Sequence, residues 1–105
     1  MTHALPAKFR TDLLVALRSG KYKQGRAYLR SANDEYCPLG VALDVLGVSW
    51  GEPEGPAYNP IFSERQFLLN SVGFWPVMEA MADLLVASGP FPAIADWIEA
   101  NTVAA

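Results

Sequence analysis

Residues 18–40 read RSGKYKQGRAYLRSANDEYCPLG and contain the signals that decide how the chain folds. Gly20 is of the residue type that most often ends a helix. Residues 31–34 are SAND, and such short polar side chains favour a turn because they hydrogen-bond their own backbone. Pro38 suits the first turn of a new helix. The stretch therefore predicts a helix end, a β-hairpin with strands near 26–30 and 35–37, and the start of a second helix.

Apolar residues recur at helical spacing on both sides of this stretch. The pattern predicts helices over about 6–19, 38–46, 64–71, from Pro76 onward, and over about 92–101, with an irregular loop over 48–60. In the helix that begins at Pro76, we expect the buried stripe to consist of Met78, Met81, Ala82 and Leu85. The sequence thus predicts one domain, residues 1–105, of the α+β class and mostly α, with four to five short helices and one small β-hairpin near residues 22–37.

The composition limits the class of protein. The chain has 105 residues, of which 51% are hydrophobic and 18% charged, so it can bury one core and is not expected to be disordered. Its apolar runs are far shorter than the ~20 residues of a membrane span. The first ten residues lack the apolar stretch of a secretory signal, and the one cysteine excludes an internal disulfide. Together these features predict a cytoplasmic protein.

The charge is divided unevenly along the chain. Residues 1–33 contain seven basic residues and one acidic residue, a charge of +6, whereas residues 34–105 carry a charge of −9. Such asymmetry often marks a surface for a charged partner. The alternative is that the basic third of the chain pairs internally with the acidic remainder.

The basic part supplies the first candidate binding surface. Lysines and arginines alternate here with tyrosines, and the candidate residues are Lys21, Tyr22, Lys23, Arg26, Tyr28 and Arg30. Tyrosine and arginine are favoured at protein interfaces, so an acidic protein surface is one possible partner. Arginines beside aromatic rings also bind single-stranded nucleic acid, through phosphate contacts and base stacking. A third interpretation makes the tyrosines core residues and the bases a solvated rim.

Acidic residues on the C-terminal helices supply a second candidate surface, which consists of Glu79, Asp83, Asp96 and Glu99. Their spacing, i,i+4 and i,i+3, is typical of a solvated helix face, and such a face can also mimic nucleic acid in a basic channel. The two C-terminal helices resemble a helix-turn-helix. However, residues 66–105 contain no lysine or arginine, so DNA would be repelled from them.

The sequence offers little for catalysis. It has one histidine, His3, and one cysteine, Cys37, and no pair at metal-ligand spacing. Cys37 is better interpreted as a small buried residue than as a nucleophile, although its place at a helix start would favour the thiolate. Gly20-Lys21 lacks the first glycine and the Ser/Thr of a phosphate-binding loop. We therefore expect neither an enzyme nor a bound cofactor or metal.

Residues 16–45, which include ALRSGKYKQGR followed by LR, YC, LGV and LDV, resemble a family of small proteins encoded by phages, prophages and plasmids. Members of that family often read ALRSGKYKQGKG and YCCLGVLCD in this region, and often end in a stretch like SF.EIAD.IE.N, to which residues 91–101 are similar. The chain differs at Pro38, where a second cysteine is usual, and at Ala42-Leu43, which replaces a Leu-Cys pair. These differences argue against metal or thiol chemistry at those positions.

The resemblance implies a context for the chain. A small phage accessory protein without catalytic residues usually acts by binding a macromolecule of the host or the phage. Inhibitors of host defence, including anti-CRISPR proteins, are typically of this size and often strongly charged. We therefore expect a non-enzymatic accessory protein that binds and blocks a host or phage protein complex. The alternative is a small nucleic-acid-binding protein that uses the basic hairpin.

Overall fold

The computed structural model describes residues 2–25, 30–31, 33–48, 68–87 and 89–105. Along the chain these form β1 (His3–Leu5), α1 (Ala7–Arg18), β2 (Lys23–Gln24), β3 (Glu35–Tyr36), α2 (Pro38–Val45), α3 (Phe74–Ala80), α4 (Ala82–Val86), α5 (Phe91–Asn101) and β4 (Thr102–Ala104). Residues 68–71 are also helical. The predicted α+β class with mostly helical content is confirmed.

Helix α1 forms the centre of the domain. It begins directly after Pro6 and ends before Gly20, whose φ of 75° lies in the left-handed region that glycine adopts easily. Its apolar face packs on α2 and α5, and the Phe9 ring meets the Phe74 ring edge-on at 5.6 Å between centroids. The described core contains Leu5, Phe9, Leu13, Leu14, Leu17, Val41, Ala42, Leu43, Leu69, Phe74, Val77, Met78, Met81, Phe91, Ile94, Ala95 and Ile98.

A two-stranded parallel sheet joins β1 to β4. His3 pairs with Thr102, Ala4 with Val103 and Leu5 with Ala104, and the Ala105 N–H extends the ladder to the Leu5 carbonyl at 2.7 Å. The sequence analysis did not predict this sheet. It places the two ends of the described chain side by side, next to the end of α5.

The predicted hairpin region has a different strand pairing. A turn closes at residues 31–34, where the Asp34 N–H donates to the Ser31 carbonyl at 2.9 Å, and Arg30 lies antiparallel to Tyr36 as a hairpin requires. However, β2 also lies beside β3, and this pairing is parallel. A parallel pair cannot be joined by the two-residue turn of a hairpin, and here residues 25–34 separate the two strands in sequence. Strand β3 therefore has β2 on one side and Arg30 on the other; residues 26–29 of the predicted strand lie outside the described residues.

The helical region after residue 73 also departs from the prediction. Helix α3 begins at Phe74 and not at Pro76, because Gly73 has a φ of 73° and turns the chain immediately before it. Pro76 then falls in the first turn, where no N–H donor is needed. Met81, with φ −102° and ψ 21°, separates α3 from α4. The predicted apolar stripe is consequently interrupted: Ala82 is exposed and Leu85 is only half-buried.

Other boundaries agree more closely. Helix α2 ends at Val45, one residue before the predicted end. Helix α5 begins at Phe91, one residue before the predicted start. Apart from Val48, the loop predicted over 48–60 lies outside the described residues, and so does the start of the helix predicted over 64–71. In the part of the chain that the structure describes, no helix has the length and apolar character to cross a membrane.

Candidate binding surface on the basic segment

The residues from Lys21 to Arg30, here called the basic segment, begin with side chains that alternate between the protein and the solvent. Lys21 and Lys23 are exposed, whereas Tyr22 and Gln24 are half-buried. This alternation follows from the extended backbone, in which successive side chains point to opposite faces. The two lysines therefore share the outward face.

Tyr22 attaches the segment to helix α2. Its hydroxyl donates a hydrogen bond to the Asp44 carboxylate, and its ring meets the Tyr36 ring edge-on with centroids 4.9 Å apart. Burial raises the pKa of Tyr22 above its usual value, and the neighbouring Asp44 raises this pKa further because it stabilises the protonated hydroxyl. Tyr22 thus serves the interior of the protein and does not present its ring as a free stacking surface.

Gln24 attaches the segment to helix α5. Its side-chain amide donates to the Gly89 carbonyl at 2.7 Å and accepts from the Phe91 N–H at 3.0 Å. The amide therefore spans Pro90 with two hydrogen bonds, much as a neighbouring strand would. Because Tyr22 and Gln24 hold the backbone from two sides, Lys21 and Lys23 project from a fixed support.

Two of the candidate bases, Lys23 and Arg30, form ion pairs with acids of the turn and of β3. Lys23 Nζ lies 3.7 Å from Glu35 Oε2. Arg30 donates to Asp34 Oδ1 from Nε at 2.9 Å and from Nη2 at 2.6 Å, and its guanidinium lies 5.3 Å from the centroid of the Tyr36 ring. Lys21 forms no ion pair with any residue in the described ranges. Internal pairing therefore accounts for part of the charge of the segment; Arg26 and Tyr28 lie outside the described residues.

The four acidic candidates do not form one uniform face. Glu79 lies on α3 and Asp83 on α4, so the break at Met81 corrects the expectation that they share one helix. Both are exposed. Asp96 and Glu99 instead bind Arg18 of α1, at 2.9 Å and 3.2 Å. The hydrogen bonds that Arg18 donates to Glu99, and secondarily to Asp96, raise the pKa of Arg18. Half of the predicted acidic surface is thus partly neutralised within the fold.

Arg10 is a structural residue that the sequence analysis missed. Its Nε donates to Thr102 Oγ1 at 2.9 Å, and its Nη2 donates to the Glu99 and Thr102 carbonyls at 3.1 Å and 3.2 Å. It therefore satisfies carbonyls at the C-terminal end of α5, where a cation also suits the helix dipole. These partners are about ninety positions away in sequence, and no local pattern connects them.

An open groove of about 520 Å³ lies beside these contacts. It is lined by Arg10, Thr11, Leu14, Val15, Arg18, Ser19 and Glu99. The arginines are already engaged with α5, and only Val15, which is 63% exposed, adds an apolar wall that is open to solvent. The groove is therefore a weaker candidate for a binding site than the outward surface formed by Lys21 and Lys23, here called the lysine face.

Cys37 lies at the start of α2 and is half-buried. Burial raises the pKa of its thiol, although nearby backbone groups of Gly40 and Leu39 oppose this shift. A raised pKa disfavours the thiolate, which supports the interpretation of Cys37 as a packing residue. No group of three or more potential metal ligands occurs among the described residues.

The described part of the molecule is thus a small α+β fold that presents lysines on an anchored extended segment. The family model described as Domain of unknown function (DUF8296) matches residues 6–85, and the chain belongs to this family. The match includes the basic segment, Tyr22 and Asp44, and ends before α5. No curated protein and no solved structure matches the chain.

Proposed function

We propose that this protein is a non-enzymatic accessory protein of a phage or another mobile element, and that it binds and blocks a partner protein in the host cytoplasm. A host-defence complex is the partner that fits this role best, which would make the protein similar in action to an anti-CRISPR inhibitor. The proposal assigns the binding surface to the outward face of the basic segment.

One observation carries the proposal: Lys21 and Lys23 point outward from a backbone that Tyr22 and Gln24 hold in place. The side chain of Lys23 is 70% exposed. A surface whose backbone is already ordered loses less conformational entropy on binding than a loop does. Two cations on such a support are suited to a carboxylate-bearing protein surface.

The contacts of Tyr22 favour a protein over a nucleic acid as the partner. Binding of single strands draws on aromatic rings that stack with bases, at about 1–3 kcal/mol per base. The Tyr22 ring packs against Tyr36, and its hydroxyl is engaged by Asp44.

A capture experiment with charge reversal tests the proposal. Tagged wild-type protein, K21E, K21E/K23E and K8E are each incubated with lysate of a bacterial host, with and without nuclease. Lys8 is the matched control because it is equally basic, 88% exposed, and lies on α1 away from the segment. We expect K21E/K23E to lose the captured protein and K8E to retain it, while circular dichroism shows that all variants are folded.

Two results would contradict the proposal. If K21E/K23E captures the same protein in the same yield as wild type, the lysine face is not the binding surface. If capture disappears after nuclease treatment, the partner is a nucleic acid. The blocking role is measured separately: wild-type protein should protect a phage or plasmid in a host that carries the defence system, and K21E/K23E should not.

A further inference from the structure

The carboxylates of Asp34 and Glu35 form ion pairs with two bases of the basic segment, Arg30 and Lys23 respectively. This is the segment to which the proposed function assigns partner binding. Glu35 lies on β3 directly beside Lys23 on β2, and Asp34 lies at the turn beside Arg30. The two carboxylates are consecutive in sequence, and both reach bases of the basic segment. The fold therefore already contains an acidic dipeptide seated on this surface.

The backbone holds Asp34 in this position. Its φ of 58° lies in the left-handed region, which aspartate tolerates better than most residues. The Ser31 hydroxyl accepts hydrogen bonds from the Asn33 and Glu35 N–H groups, at 3.2 Å and 3.1 Å, and closes the turn. Asp34 and Glu35 are consequently ordered beside the bases before any partner arrives.

The Lys23–Glu35 pair is easy to exchange. Its separation of 3.7 Å is longer than a charged hydrogen bond, and the two side chains are 70% and 33% exposed. Such an exposed pair contributes little to stability, so the domain has little need of it for folding. The Arg30–Asp34 pair is tighter, because Arg30 is only 24% exposed and donates to Asp34 at 2.6 Å and 2.9 Å. Both pairs lower the positive potential that an acidic partner would meet.

We infer that Asp34 and Glu35 form an autoinhibitory acidic pair, which competes with the carboxylates of an acidic protein segment for the bases of the basic segment. The inference rests on the proposed function and adds a regulation to it. The partner would be an extended segment with adjacent carboxylates, since that is the ligand the fold itself supplies. The competition lowers the affinity for every acidic partner by the same factor, so only a strongly acidic partner retains enough affinity to bind.

The test is a gain of binding. The probe is a short dye-labelled poly-L-glutamate peptide, and its affinity is measured by fluorescence anisotropy at low ionic strength. The D34N/E35Q variant keeps the side-chain shapes, and asparagine also accepts the left-handed backbone. We expect it to bind the probe roughly two- to tenfold more tightly than wild type, and the gain to vanish at high salt.

A control separates local competition from net charge. D34N/E35Q raises the formal net charge from −3 to −1, and E79Q/D83N raises it equally at two exposed acids that form no ion pair among the described residues. If D34N/E35Q binds no more tightly than E79Q/D83N, the inference is overturned, since only the overall charge would matter. If D34N/E35Q is less stable than wild type, E35Q alone is compared with D83N, because the Ser31 contacts of Glu35 use its backbone.

The inference and the proposed function fail in different ways. If wild type binds the probe, K21E/K23E does not, and E35Q behaves like D83N, then the lysine face stands and the autoinhibitory pair is refuted. If K21E/K23E binds the probe as well as wild type does, the lysine face itself is refuted. Tighter binding by D34N/E35Q that K21E/K23E abolishes supports both.

Discussion

Replacing Tyr22 with phenylalanine tests the contact that fixes the basic segment to helix α2. The change removes the hydroxyl that donates to Asp44 and keeps the ring that packs against Tyr36. A hydrogen bond to a charged group contributes about 1.5–3 kcal/mol, and the half-buried position of Tyr22 points to the lower end. We therefore expect Y22F to lower the free energy of unfolding by about 1.5 kcal/mol, which corresponds to a fall in Tm of roughly 6–10 °C.

The assay is urea unfolding followed by circular dichroism, at neutral pH and then at alkaline pH. Because the pKa of Tyr22 is raised in the folded state, its contribution is fully present below the ordinary tyrosine value of 10.0. Above that value the unfolded chain loses the proton while the folded chain keeps it, so folding loses stability. The difference between wild type and Y22F should therefore be constant from pH 7 to about pH 9 and shrink above pH 10.

A double-mutant cycle with D44N assigns the effect to this pair. We expect Y22F and D44N to be non-additive by about 1 kcal/mol, since each removes part of one charged hydrogen bond. Additive effects would show that Tyr22 and Asp44 act independently. Equal stability of wild type and Y22F, or a difference that grows above pH 10, would refute the reasoning.

Two further changes test how α5 and β4 are held in the fold. I98A should lower the free energy of unfolding by about 2–5 kcal/mol because Ile98 is 0% exposed, whereas V15A, at a valine that is 63% exposed, should change it by less than about 0.5 kcal/mol; similar losses for the two would contradict the placement of α5. R10M should cost about 1–3 kcal/mol and accelerate hydrogen exchange in β4, because three hydrogen bonds to Glu99 and Thr102 are lost; K8M is its control and should leave β4 exchange unchanged.

Helix ends were predictable because their signals are local. Pro6, Gly20 and Pro38 set the bounds of α1 and the start of α2 through backbone geometry that each residue carries into any context. The turn at residues 31–34 was predictable for the same reason, since its side chains bond to backbone groups nearby. The sequence therefore indicated the bounds of α1, the turn and the start of α2.

The sheets and the break at Met81 were not predictable in this way. Strands β1 and β4 are short segments at opposite ends of the chain, and they pair because α1 and α5 pack together. The parallel neighbour of β3 depends similarly on Gln24, whose partners Gly89 and Phe91 belong to the start of α5. These contacts join residues more than sixty positions apart, and a single sequence holds no periodic signal for them.

The residues of the candidate surface could be predicted from the sequence, but their contacts with other parts of the fold could not. The sequence placed Lys21, Tyr22 and Lys23 together on one candidate surface, and only the structure shows that Tyr22 is half-buried while the two lysines are exposed. Charge counting could not show that Glu35 would lie beside Lys23, because that contact depends on the parallel pairing of β2 with β3. Pairing of Arg18 with Asp96 likewise required the packing of α1 on α5.

The uneven charge of the chain has different consequences at different residues. Arg18 joins α1 to the acids of α5, so part of the opposite charge in the two regions holds the fold together. Lys21, by contrast, is exposed and forms no ion pair with any residue in the described ranges. Lys23 is between them, because its acidic neighbour at 3.7 Å is close enough to lower its potential and loose enough to be replaced. A partner that binds Lys23 must therefore displace Glu35, and the strength of Glu35 as a competitor sets the affinity that every acidic partner needs at this surface.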